Sequence, residues 1–300
     1  MAKSILQPLL FLSISVVTFL VCYLLAITVQ VGTISYDNVS LILVVMGLSF
    51  LIHWIMFIPS YVFQTEKFYD LTGSLTYITI LIFVVYIKQL LVHSVLDLRS
   101  ILILSCIIIW TVRLGSFLFW RVLKDGEDKR FRTILPSFSQ LFMTWTLSAA
   151  WVFIQLIAAL VALTSLEAAK VPFGIVGYIG LGLWVFGFIF QVVADYQKTR
   201  FKSNPKNEGN FINEGLWKIS RHPNYFGEIV LWTGIAIMAV PVMSGLQYVS
   251  LVSPVFGFLL IYFVSGVRLL ENKADKKWGN DLNYQEYKEK TPVFFPNFFK

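Results

Sequence analysis

Four polar residues, Gln191, Asp195, Lys198 and Lys202, follow one another at intervals of 4, 3 and 4 in the segment FIFQVVADYQKTRFKSN. That spacing places side chains on one face of a helix. Asp195 stands at the boundary of a long apolar run, where a carboxylate is costly and usually functional. A second group lies in GLWKISRHPNYFGEIVLW. Pro223 suits the first turn of a helix, Arg221 and His222 come just before it, and Asn224, Tyr225 and Glu228 follow on one face. A helix N-terminus favours anions, and an adjacent arginine and histidine strengthen that preference. This is chemistry for holding a phosphate, with amide and carboxylate groups beside it to hydrogen-bond a ring or a ribose. A third group lies in GVRLLENKADKKWGNDLNYQEYKEKTP, where Arg268, Asn272 and Asp275 share one face and Tyr284, Tyr287 and Lys288 another. By itself this tail also suits an amphipathic helix lying on a membrane surface.

The elements that position these groups are membrane spans. Hydrophobic residues make up 57% of the 300-residue chain and charged residues 14%, against about 25% charged in soluble proteins. Apolar runs of bilayer length recur near 5–29, 39–60, 72–94, 100–120, 139–163, 173–194, 224–241 and 248–267. The first is too long for a signal-peptide core and lacks a small-residue cleavage site after it, so it is expected to remain as a span. With the N-terminus in the cytosol, 20 of the 24 lysines and arginines fall in cytosolic segments. The expected architecture is all-α: a polytopic membrane helical bundle of about seven or eight spans with both termini cytosolic. The net charge of +7 borders spans and attracts anionic lipid, so it is no sign of nucleic-acid binding.

Several chemistries find no support. Cys22 and Cys106 both sit in apolar runs and make neither a disulfide framework nor a metal site. There is no P-loop, HExxH or GxSxG, and Gly177, Gly180, Gly182 and Gly187 read as small packing residues of a span. A nucleotide cofactor would have to bind between helices, without a Rossmann sheet.

The string LWKISRHPNYFGE, preceded by QVVADYQK and the link NPKNEGNFINEGLW, resembles the signature of the steroid 5-alpha-reductase-like membrane family. Within it the likeness is to a bacterial and protist branch, and LLENKADKKWGNDLNYQEYKEKTPVFFP, KFYDLTGSLTY and WTVRLGSFLFWRVLKDGEDKR fit the same branch. A shorter RHPxYxG pattern is shared with isoprenylcysteine and phospholipid methyltransferases. The resemblance implies residues 1–138 as N-terminal helices on the lipid-substrate side and 139–300 as a domain closing on NADPH at its cytosolic end. Carried over by position, the cofactor residues are Gln191, Asp195, Lys198, Lys202, Asn207, Arg221, His222, Asn224, Tyr225, Glu228, Arg268, Asn272, Asp275, Tyr284 and Tyr287. Asn207 enters through the resemblance alone.

The implied reaction reduces a carbon–carbon double bond conjugated to a carbonyl in a steroid, prenoid or fatty enone drawn from the bilayer. Steroid-reducing relatives resemble one another in pairing an early glutamate with a tyrosine one turn before the arginine corresponding to Arg113. Trp110 occupies that turn here and cannot act as an acid. Tyr69 and Glu66 are the expected proton donors, with Asp70 beside them. Two alternatives stay open: an S-adenosylmethionine-dependent membrane methyltransferase and a non-enzymatic lipid-binding protein. Lys198, Lys202, Arg221 and Arg268 favour a phosphate-bearing dinucleotide over a sulfonium. The membrane is the bacterial inner membrane or the endoplasmic reticulum, according to the organism.

Overall fold

The computed structural model describes residues 2–93 and 96–298. The protein is all-α, and its described residues include eight helical segments long and apolar enough to cross a membrane. In chain order the elements are α1 (Ala2–Val29), β1 (Ser35–Tyr36), β2 (Val39–Ser40), α2 (Leu41–Val62), α3 (Tyr69–Val92), α4 (Leu98–Asp125) and α5 (Phe138–Thr164). They continue with α6 (Gly174–Ser203), α7 (Leu216–Ile219), α8 (Pro223–Ala239), α9 (Val252–Leu259), α10 (Val267–Trp278) and α11 (Leu282–Lys290). Inside a bilayer a helix satisfies its own backbone, which is why apolar runs of this length become helices and not strands. The chain forms two compact units, one of residues 1–174 with 239–253 and the other of 175–238 with 254–300. The division drawn on sequence at 138/139 differs from this one, because α5 belongs to the first unit.

In the first unit α5 is the central helix and meets α1, α2 and α3. Its residues from Val152 to Thr164 are all buried, as expected for a helix apolar on every side. β1 and β2 form a short hairpin whose turn residues Asp37 and Asn38 both have positive φ, 46° and 66°. Two such residues make the primed turn that matches strand twist, and Asn and Asp tolerate it best after glycine. Asp97 begins α4, accepting the Ser100 amide at 3.0 Å and the Ser100 hydroxyl at 2.6 Å. The Lys88 ammonium lies 3.7 Å from the same carboxylate. Burial alone would raise the Asp97 pKa, but the Ser100 hydrogen bonds and Lys88 outweigh it and hold the group below the usual carboxylate range.

In the second unit α6 and α8 meet through glycine. A β-carbon on Gly187 would lie 2.6 Å from the Gly227 carbonyl, and one on Gly227 would lie 2.6 Å from the Gly187 carbonyl. One heptad away, Gly180 and Gly234 repeat the arrangement at 2.7 and 2.5 Å. Only glycine lets two backbones come this close, the small-residue contact common between membrane helices. The last apolar segment is not one regular helix. It passes from a 3-10 turn at Gly245–Leu251 through α9 into a π-helical stretch, Leu260–Ser265, before α10. Gly266 closes the π-stretch, where a β-carbon would meet the Ile261 carbonyl at 2.6 Å and the Tyr225 ring at 3.0 Å.

Candidate functional site

All fifteen expected cofactor residues belong to the second unit. The glycine contact sets their register. With α6 and α8 backbones touching at Gly187 and Gly227, the residues one turn on face each other. Gln191 donates to the Glu228 carboxylate, whose other oxygen accepts the Trp232 indole N–H at 3.1 Å. Asn224 donates to Asp195 at 3.0 Å. Gln191, Asp195 and Glu228 are all buried, with at most 8% exposure. Buried carboxylates are tolerable only with such donors.

Arg221 and His222, just before α8, both end on Glu271 of α10. The Arg221 guanidinium lies 3.1 Å from one oxygen and His222 Nε2 2.9 Å from the other. A carboxylate only accepts, so Nε2 carries the proton and Nδ1 of a neutral ring is a bare acceptor. Burial is the largest influence on His222 and lowers its pKa below 6.5, helped by the nearby Lys198 and Arg221 charges; Glu271 pulls the other way without overcoming it. The His222 ring stacks on Tyr225 at 5.8 Å with planes 10° apart. The backbone is pinned as well: the Arg221 amide donates to the Pro292 carbonyl at 3.0 Å and the Ser220 hydroxyl to Phe294 at 2.8 Å.

The tail closes a third contact. Asp275 accepts from the Tyr284 hydroxyl at 3.1 Å and from Lys288 at 2.6 Å. Tyr287 donates to the Trp217 carbonyl at 2.6 Å. Both tyrosine pKa values are raised, each chiefly by burial and Tyr284 also by its bond to Asp275. The tail is thus docked to α7 and α10 by specific side chains. Trp217 joins the parts: its indole donates to Ala194 at 3.0 Å, and the Lys198 ammonium sits 4.4 Å from its ring centre.

Some expected residues stand apart from these clusters. Lys202, Arg268 and Asn272 are exposed. Asn207 donates to the Phe201 carbonyl at 3.0 Å, a bond local to its own link. Tyr69 and Glu66 belong to the first unit. There the Tyr69 hydroxyl donates to the Thr144 carbonyl at 3.1 Å, and Glu66 accepts the Asp128 amide at 2.9 Å. Trp110 is buried edge-on to Tyr77 at 5.3 Å.

Sequence reasoning missed Glu271, Trp217 and Trp232. Glu271 lies three residues after Arg268 and four before Asp275, so the period of 3.6 allowed it as readily as Asn272. A buried-side carboxylate able to neutralise the Arg221–His222 pair was the signal available.

Four buried polar atoms of this site have no hydrogen-bond partner among the described residues: Arg221 Nε, His222 Nδ1, Asn224 Oδ1 and Gln191 Oε1. One is a cationic donor and three accept, a set that suits a ligand bearing both an anionic group and hydroxyls or an amide.

Residues 53–291 match the family described as "Protein of unknown function (DUF1295)". A protein of Ustilaginoidea virens named "Probable O-methyltransferase ustE" is 29% identical over 72 residues, 23% of this chain. The chain spans about a quarter of the length of that curated relative, 25%. No solved structure matches. Since the family match runs through the Arg221–His222 segment, the α6–α8 contact and the docked tail, the chain belongs to the DUF1295 family.

Proposed function

We propose that this protein is an NADPH-dependent membrane reductase acting on a conjugated carbon–carbon double bond of a lipid-like substrate. The supporting observation is the buried set in the second unit: Arg221 and His222 on Glu271, Gln191 on Glu228 and Asn224 on Asp195, with four polar atoms left over. Those atoms fit a reduced dinucleotide. Arg221 and Lys198 would meet phosphate; His222 Nδ1, Asn224 and Gln191 would take ribose hydroxyls or a carboxamide. NADPH, when bound, supplies the hydride.

The chain's own residues bind, orient and exclude water. Glu228, fixed by Gln191 and Trp232, keeps the α6–α8 face rigid, and preorganised groups of this kind need no rearrangement during reaction. Charge developing on a substrate carbonyl oxygen needs a proton donor, worth about 10²–10⁴-fold in rate; Tyr69 and Glu66 are the residues expected for it from the sequence.

A second reading, S-adenosylmethionine-dependent methyl transfer, is favoured by the likeness to the protein named as a probable O-methyltransferase. The acceptor-rich set of unpaired atoms suits its ammonium and ribose too.

The test supplies the purified protein, in lipid nanodiscs, with NADPH and a panel of enone lipids, then with S-adenosylmethionine and lipid acids and alcohols. Reduced nicotinamide consumed in step with saturated product supports the reductase. Methylated product with no NADPH consumption replaces it.

A further inference from the structure

The first unit holds a cavity of about 270 Å³ lined by Met56, Pro59, Ser60, Phe63, Phe68 and Trp145, with Thr65 completing the wall. Its lining is almost wholly apolar. Phe63 and Phe68 flank it at the end of α2 and the start of α3, and their side chains are largely exposed. Trp145, in contrast, is 1% exposed, and its indole N–H has no partner among the described residues. One turn below Met56 on the same face of α2 is His53, fully buried, with its ring 6.0 Å from that of Trp145. His53 Nδ1 lies 2.8 Å from the Ser49 carbonyl, which can only accept, so Nδ1 carries the proton and Nε2 is a bare acceptor. Nε2 also lacks a partner among the described residues.

A buried donor and a buried acceptor, each without a partner among the described residues, thus belong to two rings 6.0 Å apart, one of which, Trp145, lines the apolar cavity. Leaving either unmade is costly in a span, where no solvent replaces the partner. A carbonyl oxygen would satisfy Trp145 alone and a hydrocarbon neither; a hydroxyl group accepts from Trp145 and donates to His53. We infer that this cavity binds the hydroxyl-bearing end of an apolar alcohol from the bilayer, held by Trp145 Nε1 and His53 Nε2, with the rest of the molecule leaving past Phe63 and Phe68. The site needs no cofactor and does not depend on the reductase reading.

The test uses the full protein in nanodiscs without any cofactor and a photoreactive long-chain alcohol. Competitors are the same alcohol without the photoreactive group, its methyl ether and the parent hydrocarbon. Labelling is expected within residues 56–68. The alcohol should compete at least about tenfold better than the hydrocarbon, with the ether between them because it can accept but not donate. Trp145→Phe and His53→Leu should each weaken the alcohol about five- to tenfold, the worth of one hydrogen bond, and leave the hydrocarbon unchanged. Ser60→Trp, which fills the cavity and keeps both polar groups, should abolish labelling, and it carries the test if Trp145→Phe does not fold. Equal competition by alcohol and hydrocarbon overturns the inference. So does labelling that survives Ser60→Trp, or no labelling at all, which would leave the two atoms to water.

Discussion

His222 and Glu271, 49 residues apart in the chain, meet at 2.9 Å between Nε2 and Oε1, and the other oxygen of the same carboxylate takes Arg221 at 3.1 Å. One residue of α10 thus fixes both residues that enter α8, neutralising one charge and setting the tautomer of the neighbouring ring. Glu271→Ala should cost about 2–3 kcal/mol of stability, because it leaves a mostly buried guanidinium without its counter-ion. Glu271→Gln keeps a hydrogen-bonding group and should cost less. Denaturant unfolding in detergent ranks the two; equal stability of wild type and Glu271→Ala would mean that the contact carries nothing.

The same pair sets a pH dependence. Burial lowers the His222 pKa below 6.5, so between that depressed value and 6.5 the unfolded chain binds the proton that the folded one refuses. This contribution to stability is complete above about pH 6.5 and is lost as pH falls through the folded value. The thermal midpoint should drop on acidification across that window. In His222→Gln this part of the slope should vanish, and an unchanged slope would assign the titration elsewhere.

Gly227 and Gly187 set the register of α6 against α8. Gly227→Ala would put a β-carbon 2.6 Å from the Gly187 carbonyl and 2.7 Å from the Gln191 amide. It should cost about 1–3 kcal/mol and part Gln191 from Glu228, weakening cofactor binding more than stability alone explains. Gly182, on the same helix, has nothing within 4 Å of such a carbon. Gly182→Ala should be neutral or stabilising by up to about 1 kcal/mol. Thermal unfolding of both variants checks the contrast.

The two proton donors expected from the sequence, Tyr69 and Glu66, separate by kinetics. If Tyr69 supplies the proton, Tyr69→Phe lowers kcat about 10²–10⁴-fold and leaves NADPH affinity unchanged. Glu66→Gln then has a modest effect. The reverse pattern gives the role to Glu66, and activity retained in both variants removes it from either.

Much of this fold is legible in the chain because a bilayer leaves few options. Eight apolar runs became eight span-length helical segments among the described residues, the last of them irregular, and Pro223 begins α8. The facing of Gln191 and Asp195 toward Glu228 and Asn224 follows from helical period plus burial cost. Less legible is what depends on tertiary approach. Glu271 meets Arg221 through a tertiary contact between α10 and the start of α8, and period alone ranks it no higher than the exposed Asn272. The π-stretch Leu260–Ser265 carries no proline, and the closeness of Gly266 to the Tyr225 ring at its end is a contact and not a pattern. Asn207, expected through resemblance, spends its amide on Phe201.

The central claim is that the buried set around Arg221 and Glu228 holds NADPH, and the most direct measurement is thermal unfolding with NADPH, NADH and S-adenosylmethionine titrated separately. At about 100-fold excess over its dissociation constant, a ligand of the folded state adds about 2.7 kcal/mol. NADPH should stabilise the wild-type protein and Gly182→Ala but not Arg221→Ala or Glu228→Ala. Stabilisation by S-adenosylmethionine alone, or by NADPH undiminished in Arg221→Ala and Glu228→Ala, would contradict it.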